Sequence, residues 1–127
     1  MATKKQIASK SKRRKTATNE ELDRMTEEAI VDAYGDSEQT VGFYTMLEDN
    51  FAVPFQKEML GVEVTVDRID MTDDDQIVAV CTRGNSRQRV PILEMPLPDP
   101  PPKGSEWIDA YRRWARRRYQ GNLRELK

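Results

Sequence analysis

The spacing of hydrophobic positions changes from a helical period to a two-residue period near residue 55. Before that point, apolar residues recur at helical spacing from Leu22 to Ala33, which predicts an amphipathic helix. Thr18 and Glu21 have the spacing of a capping box, so the helix is expected to begin at Thr18. We expect it to run to about Ala33, because Gly35 then interrupts the pattern.

A second helix is predicted between Gly35 and Pro54. Asp36 or Ser37 is expected to cap its N-terminus, and the helix should end near Asn50. A stripe along this helix is predicted to be buried against a partner surface. The stripe consists of Val41, Tyr44, Leu47 and Phe51.

The downstream half has the pattern of a β-meander. Valines alternate with polar residues from Val62 to Val66, which is typical of a half-buried strand. A more apolar segment at 76–83 predicts a buried strand. Gly84 and Asn85 then form a turn signal before a third strand at 87–93. We expect a small, twisted antiparallel sheet or partial barrel on which the helices pack.

The proline-rich segment 97–102 predicts an extended connector, followed by a last helix that begins after Ser105. Trp107, Tyr111 and Trp114 lie on one face of that helix and are expected to seal the core. The predicted fold is therefore α+β: two N-terminal helices, the sheet and a C-terminal helix. We assign 18–120 to a single domain, 1–17 to a disordered basic arm and 121–127 to a C-terminal tail.

Charge is strongly segregated along the 127 residues, although the formal net charge is only −1. Residues 1–17 contain seven Lys and Arg and no acid, and residues 111–127 contain seven more with one acid. The segment between them has 7 basic and 21 acidic residues, a net charge of −14. Such a domain repels itself unless cations or basic groups compensate.

The residue types present exclude several kinds of chemistry. The chain has no histidine, which removes imidazole-based catalysis and imidazole zinc sites. Its single cysteine, Cys81, allows no intrachain disulfide and is expected to be a buried, inert thiol, which favours a cytoplasmic location. No apolar run is long enough to predict a membrane span. We therefore expect a protein that is neither an enzyme nor membrane-bound.

Carboxylates without nitrogen or sulfur ligands suit a hard cation, above all Ca²⁺. Three clusters of such groups are predicted metal ligands, although none matches an EF-hand loop. The first is Asp36 with Glu38, the second is Glu48 with Asp49, and the third is Asp70 with Asp73, Asp74 and Asp75. Taken alone, each cluster is better explained as solvated surface acids, so the negative charge that the clusters share is what favours a metal. Glu48 and Asp49 carry most weight, since a helix C-terminus disfavours negative charge.

Two other functions are compatible with the same charges. The basic N-terminal arm and the arginine-rich C-terminal helix predict, as the alternative, a module that binds nucleic acid through its phosphates. The acidic surface also fits a scaffold that docks a basic protein.

One further pattern resembles a known family. The string L-E-D-N-x-x-x-P-F at 47–55, followed by Y-R-x-W at 111–114, resembles the CcbP-like calcium-binding proteins over about residues 30–115. The resemblance implies a small acidic α+β protein that binds and buffers Ca²⁺ through surface carboxylates. It implies the ligand role for Glu38, Glu48 and Asp49, which lie within the matching segment. The basic arm and the arginine-rich end depart from the family pattern.

Overall fold

The computed structural model describes residues 17–126, with side chains described through residue 118. The predicted disordered arm therefore lies outside the described residues except for Ala17, and so does Lys127. Within these residues there are three α-helices, α1 (Asn19–Ala29), α2 (Asp36–Asn50) and α3 (Glu106–Leu126). Four strands lie between α2 and α3: β1 (Phe55–Met59), β2 (Val62–Met71), β3 (Ile77–Arg83) and β4 (Ser86–Pro91). The predicted α+β class is confirmed, and α3 continues through positions 121–126 of the predicted tail.

Helix α1 begins with the predicted capping box. The Thr18 hydroxyl accepts the backbone N–H of Glu21 at 3.1 Å, and the Thr18 N–H donates to the Glu21 carboxylate at 2.9 Å. These reciprocal bonds satisfy two N–H groups that the first helical turn leaves without partners. The helix ends at Ala29, earlier than the predicted Ala33, because the backbone turns after Ile30.

One prediction about α2 was wrong, and another is confirmed only in part. Gly35, rather than Asp36 or Ser37, occupies the N-cap position, and no side chain caps this end. Of the predicted stripe, Leu47 and Phe51 are buried and Tyr44 is half-buried. Val41 is 45% exposed, and Phe43, which the stripe left out, is fully buried. The buried face is rotated because Phe43 packs against aromatic rings of α3, with ring centroids 5.5 Å from Tyr111 and 5.4 Å from Trp114.

The sheet is an antiparallel meander in the order β1-β2-β3-β4. Strand β1 was not predicted as a strand, and it joins β2 through a turn in which Leu60 and Gly61 have positive φ angles of 53° and 78°. The β2–β3 register shifts between Val66 and Arg68, which places a bulge at Asp67. The last predicted strand ends at Pro91, because the chain then turns into a 3₁₀ helix at Ile92–Glu94.

The helices and one face of the sheet form a single core. Trp107 and Tyr111 of α3 are buried and Trp114 is half-buried, as the sequence predicted. Cys81 is 5% exposed on the core face of β3. Burial raises the pKa of its thiol, which fits the predicted inert cysteine.

Candidate metal centre

The C-terminal end of α2 presents two adjacent exposed carboxylates, Glu48 and Asp49. The last turn of this helix contains no basic residue. Unpaired carbonyl groups give this end a partial negative charge, so the two carboxylates add to a potential that is already negative. A cation bound here would relieve that repulsion.

The connector before α3 holds this end of α2 in place. The backbone N–H of Ala52 donates to the carbonyl of Lys103 at 2.8 Å. Gly104 has a φ of 87°, and a Cβ at this position would overlap the carbonyl of Asn50. Only glycine combines this backbone conformation with so close an approach. The helix end that carries Glu48 and Asp49 is therefore in direct contact with the segment that precedes α3.

Tyr44 connects the helix end to the sheet. Its hydroxyl donates to the Glu48 carboxylate at 2.9 Å. Burial, the hydrogen bond and charge of Glu48, and the charge of Asp70 together raise the pKa of Tyr44 to about 12, while Arg68 opposes them. Glu48 of α2 and Asp70 of β2 therefore both act on one hydroxyl group. Members of two predicted clusters that the sequence separates therefore both influence Tyr44.

Asp70 is held in a fixed orientation beside this helix end. One carboxylate oxygen accepts from the Arg89 guanidinium at 3.1 Å, and the other accepts the backbone N–H of Met71 at 2.8 Å. Arg89 neutralises part of its charge, so Asp70 is a weaker ligand candidate than the exposed pair on α2.

The first predicted cluster lies at the opposite end of α2. Glu38 accepts the backbone N–H of Tyr34 at 2.8 Å, and Asp36 forms an ion pair with Arg118. With a rise of about 1.5 Å per residue, Glu38 and Glu48 are roughly 15 Å apart along the helix axis. These residues therefore cannot ligate the same ion.

The remaining three acids, Asp73, Asp74 and Asp75, occupy the exposed turn between β2 and β3. The turn is organised by Thr72, whose hydroxyl donates to the Asp74 carboxylate and accepts the backbone N–H of Gln76 at 3.0 Å. Asp75 adopts a positive φ of 65°.

Over residues 17–118, no three acidic or cysteine side chains are close enough to form a preassembled metal cage. The available donors are carboxylate oxygens, which suit Ca²⁺. Their geometry fills only some of its coordination positions, so water or rearranged side chains would occupy the others.

The arginines of α3 neutralise acids of their own domain. Arg113 binds Asp23 of α1 at 2.9 Å, with Arg117 3.6 Å from the same carboxylate, and the hydrogen bond from Arg113 lowers the pKa of Asp23. Arg118 pairs with Asp36 and lies 5.4 Å from the centre of the Trp114 ring.

Arg112 contacts the Asp109 carboxylate and the Leu93 carbonyl, each at 3.2 Å. Of the two roles that the sequence left open for these arginines, neutralising the acidic body is the one seen in the described part of α3. Sequence reasoning missed two acid contacts, Asp23 with Arg113 and Glu48 with Tyr44, since only the packing of the helices and sheet brings these partners together.

Comparison with known proteins identifies the family. A family model described as calcium binding matches residues 23–115, from α1 into α3. The chain belongs to the CcbP-like calcium-binding family. The suspected resemblance is thus confirmed, and membership supports a calcium-binding role. The match to the CcbP-like family leaves out the basic arm and Arg116 to Arg118.

Searches of curated proteins and of solved structures return no significant match. Among the helices of the described chain, none is both long and apolar enough to cross a bilayer.

Proposed function

We propose that this CcbP-like protein is a non-enzymatic Ca²⁺-binding protein that buffers the ion through exposed carboxylates. Its principal site is the C-terminal end of α2, with Glu48 and Asp49 as ligands and Asp70 in support. The observation that carries the proposal is the pair of adjacent exposed carboxylates, Glu48 and Asp49, at a helix end that lacks a basic residue in its last turn. The Tyr44 hydroxyl holds the Glu48 carboxylate at 2.9 Å.

The arrangement favours weak binding that exchanges readily. Ca²⁺ takes about 6–8 oxygen ligands at roughly 2.3–2.6 Å, and few of these come from the protein here. Water would supply the remaining ligands, so affinity depends on local charge and falls with salt. Low affinity suits a buffer, which must release the ion as its concentration falls.

The other predicted acids are secondary positions in this proposal. Glu38 is exposed, but its neighbour Asp36 is paired with Arg118. Asp73, Asp74 and Asp75 form a separate negative turn that draws Ca²⁺ through charge alone.

Isothermal titration calorimetry of a Glu48→Gln/Asp49→Asn variant tests the principal site. The matched control is Glu27→Gln/Glu28→Gln, because these adjacent exposed acids also lie in the last turn of a helix without a basic residue. We expect the control to bind Ca²⁺ like the wild type and the Glu48/Asp49 variant to lose most of the heat. Equal Ca²⁺ uptake by both variants would remove Glu48 and Asp49 from the site.

Nucleic-acid binding stays a prediction with less support. Arg112, Arg113, Arg117 and Arg118 already contact acids, a carbonyl or a ring within the domain. Phosphate binding would therefore depend mainly on the basic arm, and a gel shift at two salt concentrations, with and without residues 1–17, tests it.

A further inference from the structure

A cavity of about 590 Å³ lies between the two edge strands of the sheet, and its lining includes none of Glu48, Asp49 and Asp70. Residues 57–60 from β1 and its turn line one side, and residues 86–90 of β4 line the other. Val64 of β2 and Cys81 of β3 lie between these edges. The two edges therefore border one space, as in the mouth of a partly closed barrel, and its volume is typical of sites for small molecules.

Part of the cavity wall is apolar. Met59, Val64 and Val90 line it, and Pro96 contributes from the segment after the 3₁₀ helix. Met59 and Val90 are only partly buried, at the margin of the main core. A ligand with an apolar body would remove this remaining surface from water, which favours binding.

The rim of the cavity is basic in a domain that is otherwise strongly acidic. Lys57, Arg83 and Arg87 line it, and Glu58 is the one acid among the lining residues that the structure describes. Within the described residues, no carboxylate pairs with these three cations. They differ in this from Arg89 and from most described arginines of α3, which have acidic partners.

Leu60 adds an unusual apolar group beside the rim. It is fully exposed, and its φ of 53° is a conformation that costs a branched residue roughly 1 kcal/mol or more. Asparagine or glycine is the usual residue at such a turn position. The turn geometry does not explain a leucine at this position, whereas contact with a bound apolar molecule would.

We propose that the cavity binds a small amphiphilic anion, a molecule with an apolar chain and a carboxylate head. The chain contacts Met59, Val64 and Val90, with Leu60 closing over it. The head accepts hydrogen bonds from Lys57 and Arg83, which the strand register places on the same face of the sheet as Val64. This site is separate from the Ca²⁺ site and does not depend on it.

Methyl NMR of the methionines with decanoate as probe tests the proposal on the full chain, in the presence of a calcium chelator. We expect a saturable shift of the Met59 methyl signal, with little change at Met95, which is buried in the main core. Decanol, which has the same chain without the charge, should bind much more weakly.

A Lys57→Gln/Arg83→Gln variant should bind decanoate roughly tenfold more weakly, because it loses charge-assisted hydrogen bonds to the head. The matched control is Arg24→Gln/Arg116→Gln, which removes two exposed arginines from α1 and α3 and should bind like the wild type. The proposal is overturned if Met59 does not shift, if Met59 and Met95 shift together, if decanol binds as well as decanoate, or if both variants bind equally.

Discussion

Neutralising Glu48 and Asp49 should change stability in opposite directions with and without Ca²⁺. In the Ca²⁺-free protein, both carboxylates lie at the negative end of α2, where each costs about 0.3–1 kcal/mol of folding free energy. The Glu48→Gln/Asp49→Asn variant should therefore be about 1 kcal/mol more stable than the wild type. Its amide oxygen at position 48 can still accept the Tyr44 hydroxyl, so the hydrogen bond at 2.9 Å need not be lost.

With Ca²⁺ the order should reverse. A ligand that binds only the folded state at about 100 times its Kd stabilises a protein by about 2.7 kcal/mol. The wild type should gain this amount and the variant little of it, which leaves the wild type more stable by somewhat less than 2 kcal/mol. Urea denaturation in chelator and in saturating Ca²⁺ measures both free energies of unfolding.

The Glu27→Gln/Glu28→Gln control separates the two effects. It also removes two acids from the last turn of a helix, so it should be stabilised without Ca²⁺, but it should keep the full gain on adding Ca²⁺. The reasoning fails if the Glu48/Asp49 variant is less stable in chelator, or if Ca²⁺ stabilises it as much as the wild type.

Three further predictions test the surrounding structure. The pKa of Tyr44 is raised from 10.0 to about 12 in the folded state. Its contribution to stability is therefore present below pH 10 and lost as pH rises towards 12. Between these pH values, the free energy of unfolding should fall less in Tyr44→Phe than in the wild type. Phe43→Ala should lower the free energy of unfolding by about 3–5 kcal/mol, because Phe43 is fully buried against two rings; a loss below about 1 kcal/mol in urea denaturation would contradict the packing. Gly104→Ala should destabilise by about 1–3 kcal/mol or more, since its Cβ would overlap the Asn50 carbonyl at positive φ. Gly35→Ala meets no atom within 4 Å and should cost less, through the weaker N-cap of α2 alone, when thermal stability is compared.

The sequence predicted those elements that are determined by residues close together in the chain. The capping box at Thr18 and the alternating valines of β2 depend on neighbours in the chain, and both predictions are confirmed. The orientation of α2 does not depend on such signals, because apolar residues lie on several sides of it. The rings of α3 select Phe43 for burial and leave Val41 exposed.

Strand β1 was missed for a related reason. Its sequence, F-Q-K-E-M, alternates weakly and contains no β-branched residue, so its propensity for a strand is low. It forms because β2 provides a partner along its whole length, from Phe55 opposite Val66 to Met59 opposite Val62.

The candidate site was predictable in part. The carboxylate pair at the end of α2 and its unfavourable helix dipole can be read from the sequence. The approach of Asp70 to Glu48 across Tyr44 cannot, because it depends on how α2 packs against β2. The separation of Glu38 from Glu48 follows from the single helix that the sequence predicts over this segment, and that helix is confirmed.

A crystal structure of the Ca²⁺-loaded protein tests the central claim most directly. The account predicts an ion at the C-terminal end of α2, with oxygens of Glu48 or Asp49 at about 2.3–2.6 Å. Ca²⁺ found only at the turn containing Asp73 to Asp75, or only beside Glu38, would contradict it.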